Sequence, residues 1–116
     1  MNLKEIADQL HLENLTPELS LAGREVGGGH VSDLLSDVLA NAPRHGVLVT
    51  IQVHLNVLAV AVHAGLTAVV FAAGRVPEAP MRARAVEENL PLLASHASAF
   101  DLAGQLYALG VRGRSA

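Results

Sequence analysis

At 116 residues the chain holds one domain, and a second independent core is not expected. Hydrophobic residues make up 51% and charged residues 16%, which excludes intrinsic disorder; eight basic against eleven acidic side chains leave a net charge of −3, without the concentrated basic face that a nucleic-acid partner requires. With no cysteine there is no disulfide framework, thiol nucleophile or thiolate metal site, and with 3% aromatics the core must come from Val, Leu, Ala and Ile.

Residues 1–10 carry Lys4, Glu5 and Asp8 in an amphipathic pattern, so no signal peptide is expected and the location implied is cytoplasmic. Leu3, Ile6, Ala7 and Leu10 share one face of a short helix. The string KEIADQLHL has the look of the first helix of a helix-turn-helix. The acidic balance and the missing basic recognition helix instead set it against the sheet edge or a partner subunit. Residues 12–15 suggest a short edge strand. Val26 to Val31 predicts a strand that frays into glycines, followed by a helix capped by Ser32 or Asp33 and running to about Ala42.

Val47 to Val53 predicts a buried strand, and Asn56 to Ala64 a helix closed by Gly65 in the C′ position. Thr67 to Ala73 predicts a second buried strand, Met81 to Asn89 an exposed helix, Leu92 to Ser95 a further strand and Ser98 to Leu109 the last helix. No membrane span is expected, because Gln52, His54, Asn56 and His63 interrupt the most apolar stretch. Strands alternating with helices imply an α/β fold, a three-layer α/β/α sandwich with a mostly parallel sheet of four to five strands. The domain is expected over residues 1–111, with a frayed tail over 112–116.

In open parallel sheets ligands bind beyond the carboxyl ends of the strands, near the point where strand order reverses. The residues expected there are Gly27, Gly28, Gly29, His30 and Ser32 after the first strand, then Gln52, His54 and Asn56 after the second. Arg75 follows the third strand and Ser95 the fourth. Glycines before a helix can free backbone N–H groups for an anion, or serve only a tight turn or close packing. The triple glycine has neither the spacing of a dinucleotide fingerprint nor the Gly-Lys-Ser/Thr of a P-loop. Asn56 can serve as a ligand contact or as a helix cap, and Arg75 as the cation for a phosphate or carboxylate. The six histidines have no i, i+4 pair and no HExxH element, so no metal site is expected. No nucleophile with a positioned base and orienter is evident, so no catalytic residue is assigned.

The segment Arg24-Glu25-Val26-Gly27-Gly28-Gly29-His30-Val31-Ser32-Asp33-Leu34-Leu35-Ser36 resembles the signature of the DRTGG domain family. Thr50-Ile51-Gln52-Val53-His54-Leu55-Asn56 and Phe100-Asp101-Leu102-Ala103 are similar to it as well, so the resemblance spans about Leu3 to Gly110. Gly23 stands where the family's name-giving Asp is found, Gly27 where its Thr is found, and His30 replaces an aromatic residue. The resemblance implies an α/β/α domain similar to the N-terminal domain of HPr kinase/phosphorylase. It also implies a regulatory or dimer-forming role, since relatives are fused to phosphotransacetylases or set between CBS domains of inorganic pyrophosphatases.

Together these features lead to the expectation of a non-catalytic regulatory module without a cofactor, homodimeric, and binding a small anionic ligand or nucleotide at the strand ends. A partner enzyme or kinase is a further expectation, whereas nucleic acid and membrane are not. A purely structural dimerisation or docking module is one alternative. A small enzyme acting on a phosphorylated metabolite, with His54 as acid/base, is another.

Overall fold

The computed structural model describes residues 1–114. Its elements run α1 (Leu3–Leu10), β1 (Glu13–Asn14), β2 (Gly28–Val31), α2 (Leu35–Asn41), β3 (Gly46–Thr50), α3 (Asn56–His63), β4 (Ala68–Phe71), α4 (Ala79–Glu87), β5 (Leu92–Ala94) and α5 (Ala99–Ala108). The sheet order is β1-β5-β4-β3-β2, parallel throughout except that β1 pairs antiparallel with β5. The fold is therefore the expected α/β class with a five-stranded, mostly parallel sheet.

The apolar strands explain the layering. Every residue of β3 and β4 is buried, and successive side chains enter opposite faces. Leu48, Val69 and Phe71 pack with Val38 of α2, Val57, Leu58 and Ala61 of α3, and Met81 and Ala85 of α4. Val47, Val49, Ala68 and Val70 pack on the other side with Leu3, Ile6 and Ala7 of α1 and Leu102 and Leu106 of α5. The strands β2 to β5 stand side by side in chain order, so their three connecting helices share one face. One sequence expectation changes as a result: this run of parallel strands has no point of reversal to mark a site.

Helix ends follow local chemistry. Asn2 caps α1 by accepting from Glu5 N at 2.9 Å, and Glu5 reaches back to Asn2 N at 3.3 Å, a capping box worth about 1 kcal/mol. Gly65 (φ +70°) lies just past the C-cap of α3, the left-handed position that only glycine adopts without strain. Ser98 Oγ accepts from Asp101 N at 3.1 Å and opens α5. The fourth helix starts at Ala79, two residues earlier than its spacing predicts, because Pro80 fits a first turn where its missing N–H costs nothing.

The glycine segment differs most from expectation. Gly28 and Gly29 are not a turn after a strand; they are the first half of β2, paired with Gly46 and Val47 at the start of β3. Close packing explains the residue type. A Cβ on Gly46 would lie 2.7 Å from Pro43 O, and one on Gly28 would lie 3.0 Å from both Pro43 Cγ and Arg112 O. The following helix starts at Leu35 rather than at a Ser32 or Asp33 cap, and Leu34 at the N-cap has no side-chain bond to offer. The strand expected over 47–53 stops at Thr50, and the one over 67–73 spans Ala68–Phe71.

The tail also differs from expectation through Arg114. Gly29 N donates to Arg112 O at 2.9 Å, Arg114 donates to Ala40 O at 2.9 Å, and the Arg112 guanidinium lies 3.6 Å from the Tyr107 ring centroid. The tail thus covers the open edge of β2, where an unpaired donor would otherwise face water. The remainder of the predicted frayed tail, 115–116, lies outside the described residues. Among the described residues no helix is long and apolar enough to cross a membrane.

Candidate functional site

An open crevice of about 630 Å³ lies beyond the carboxyl ends of β3 and β4. One wall is the β3–α3 loop, with Gln52 and His54, and the other is the β4–α4 loop, with Arg75 and Glu78. Asp33 from the β2–α2 loop forms the third side. Ile51, Val53, Leu55, Pro80 and Met81 make the surface between these polar groups largely apolar. An apolar lining with a few convergent polar groups is the ordinary make-up of a small-molecule site.

Asp33 organises the crevice. Its Oδ1 accepts from Thr50 Oγ1 at 2.7 Å and from Ile51 N at 2.9 Å, while its backbone carbonyl accepts from Gln52 Nε2 at 3.2 Å. Thr50 is only 1% exposed, and its oxygen in turn accepts from Gln52 N at 3.1 Å. These bonds tie the loop after β2 to the end of β3 and fix the turn that carries Gln52. Asp33 therefore holds the neighbouring strand end instead of capping α2. Its Oδ2 accepts no hydrogen bond among the described residues and is left for a donor from outside.

His54 Nδ1 accepts from Asn56 N at 3.1 Å, which places the imidazole proton on Nε2. The cap of α3 is thus supplied by His54, not by the Asn56 side chain. With His54 O and Leu55 O accepting from Val57 and Leu58, the first turn of α3 has no N–H left for an anion. In the first turn of α4 Pro80 has no N–H and Met81 N donates to Glu78 O, which leaves Ala79 N as the one donor there without an acceptor among the described residues. The helix ends add their dipoles to the crevice but few donors. That leaves Arg75, which is exposed and whose guanidinium makes no hydrogen bond or ion pair among the described residues.

The structure thus brings together Gln52, His54 and Arg75 of the expected site and adds Asp33 and Glu78. It sets the others elsewhere. Gly27, Gly28 and Gly29 precede or begin β2, at the opposite end of the sheet from the crevice. Ser32 Oγ accepts from Leu34 N at 3.1 Å. Ser95 Oγ accepts from Ala97 N at 3.1 Å beside a separate hollow lined by His11, Glu13 and His96. Asn56 lines an adjoining apolar hollow with Leu58 and Val62.

His30 Nε2 of β2 lies 2.7 Å from Asp37 Oδ2 of α2, a partly buried contact between strand and helix. The Asp37 carboxyl is lowered to about 2, chiefly by the bond from Asn41 and then by His30 and Ser32. No group of three or more His, Asp or Glu side chains suited to a metal occurs among the described residues.

Fold and crevice together define the chain as a small α/β/α domain with an open, mixed-charge strand-end site. No family model matches the chain, and no curated protein matches it in sequence. Among solved structures it is similar to the CBS and DRTGG domains of the regulatory region of Clostridium perfringens pyrophosphatase, determined with the activator diadenosine tetraphosphate. The TM-score is 0.70 at 13% identity, over 90% of this chain and 45% of that one, so this chain spans less than half of that structure. The likeness supports a DRTGG-like fold.

Proposed function

We propose that the chain is a non-catalytic regulatory module that senses a small anionic ligand or nucleotide in the crevice between the β3–α3 and β4–α4 loops. The observation that carries this reading is Arg75: a cation with no carboxylate partner among the described residues, on the rim of a largely apolar crevice. A charge-assisted hydrogen bond from a guanidinium is among the stronger contacts available to a phosphate.

The two carboxylates of the crevice favour a nucleotide over a bare anion. Asp33 Oδ2 and Glu78 repel phosphate but accept from ribose hydroxyls or an exocyclic amine, while the apolar wall of Ile51, Val53 and Met81 suits a base. The similarity to a pyrophosphatase regulatory region solved with a nucleotide activator agrees with this class of ligand. His54 presents Nε2–H to the ligand, a donor role that needs no turnover. We further propose that the protein acts in the cytoplasm as a homodimer, passing ligand state to a partner enzyme or kinase.

A thermal-shift screen of adenine nucleotides, nucleotide second messengers, phosphometabolites and inorganic phosphate tests the reading. Ligand at a hundredfold excess over Kd stabilises by about 2.7 kcal/mol. A nucleotide is expected to shift the wild type, Arg75→Ala is expected to abolish the shift, and phosphate alone is expected to have little effect. No shift with any of them, or an unchanged shift in Arg75→Ala, overturns it. The alternative of a purely structural dimerisation or docking module is favoured by one observation, the exposed aromatic pair on α5.

A further inference from the structure

The chain has three aromatic residues, and only Phe71 is in the core; Phe100 and Tyr107 are 87% and 60% exposed. Both lie on α5, two turns apart, so they share its outer face, opposite the buried Leu102 and Leu106. Gly104 lies between them. A Cβ added there would meet nothing within 4 Å, so no packing within this fold demands a glycine. Glycine inside a helix costs about 1 kcal/mol relative to alanine. What it provides here is a low point between two rings, where another backbone can approach closely.

Charge flanks the two ends of this face. Asp101 flanks Phe100 at one end, and Arg112 lies over the Tyr107 ring at the other. Neither has an ion-pair partner among the described residues.

We propose that the outer face of α5 pairs antiparallel with the same helix of a second copy. Phe100 and Tyr107 are symmetric about the step from Ala103 to Gly104, so a two-fold axis there sets Phe100 against the partner's Tyr107. The same axis brings Asp101 towards the partner's Arg112 and opposes the two helix dipoles. Parallel pairing instead sets Asp101 against its own copy. The two exposed rings remove about 300 Å² per protomer from water, more than a third of the roughly 800 Å² per partner in a stable interface.

This pairing rests on the proposed homodimer, to which it gives an interface, and it is tested without ligand: a dimer that survives Phe100→Glu refutes the interface alone, and a monomer refutes both. Light scattering after gel filtration is expected to give a dimer at micromolar concentration. Phe100→Glu should weaken self-association by about 30-fold or more with the melting temperature of the monomer unchanged. Asp101→Arg and Arg112→Asp should each weaken the homodimer, and mixing the two variants should restore a heterodimer. Because the chain has no cysteine, engineered thiols report the register: Phe100→Cys mixed with Tyr107→Cys should form an intermolecular disulfide, and Phe100→Cys alone should not. A wild-type monomer, a dimer unaffected by Phe100→Glu, or equal cross-linking of Phe100→Cys alone overturns the proposal.

Discussion

The Thr50 hydroxyl donates to Asp33 Oδ1 at 2.7 Å, joining the loop after β2 to the buried end of β3. The same oxygen accepts from Ile51 N, so one carboxylate oxygen holds two donors from the adjacent strand end. Asp33→Ala leaves the buried Thr50 hydroxyl without its acceptor. It should destabilise the fold by about 1.5–3 kcal/mol, the range for hydrogen bonds to a charged group. Asp33→Asn, which keeps the Oδ1 acceptor, should lose less. Urea unfolding of the two variants checks the order; equal stability of Asp33→Ala and wild type contradicts it.

Close packing around the start of β3 makes a second prediction. Gly46→Ala forces a Cβ to 2.7 Å from Pro43 O, a backbone atom that cannot swing away. It should cost about 1–3 kcal/mol, as overpacking does. Gly27→Ala, whose Cβ finds its nearest neighbour at 3.4 Å, should cost clearly less. Chemical denaturation of the pair measures the difference.

Asp37 predicts the acid limb of the stability curve. Its carboxyl is lowered to about 2 in the folded state, first by Asn41 and then by His30 and Ser32, from an ordinary value of 3.8. The unfolded chain therefore binds the proton first as pH falls. The stabilisation from Asp37 is complete above the unfolded value and is lost as pH drops from about 4 towards 2. Asp37→Asn should flatten that part of a melting-temperature profile measured between these limits; an unchanged profile refutes the assignment.

The tail supplies a fourth test. Removing every residue after Val111 takes away the Arg112 carbonyl that accepts from Gly29 N. The Gly29 amide should then exchange with solvent faster, and stability should fall by at least about 1 kcal/mol, the worth of that one bond, because the Arg114 bond to Ala40 O and the Arg112 contact with Tyr107 go with it. Hydrogen exchange resolved at Gly29 reads this directly.

The contrast between these features shows what the chain reveals before folding. The β3 and β4 strands are legible because burial on both faces leaves continuous apolar runs, and Gly65 and Ser98 mark helix ends through purely local chemistry. The role of the glycines is not local. It depends on Pro43 and Arg112, which reach β2 only when the fold is complete. Asp33 looks like a helix cap in sequence because its true partner, Thr50, lies 17 residues away. Gln52, His54 and Arg75 were legible because polar residues directly after apolar strands must gather at one end of a parallel sheet. Glu78 was missed because it opens a helix and its sequence context reads as an ordinary surface. The spacing of Phe100, Gly104 and Tyr107 was present in the sequence, but only exposure on α5 gives it meaning.

In the proposed function the strand-end crevice, and not the glycine segment, receives the ligand. Amide chemical-shift mapping during titration with an adenine nucleotide separates the two sites most directly. The amides of Gln52, His54 and Arg75 should move with saturation while those of Gly28 and Gly29 stay fixed, and Arg75→Ala should remove the response. Shifts centred on Gly28 and Gly29, or a saturating response that persists in Arg75→Ala, would contradict it.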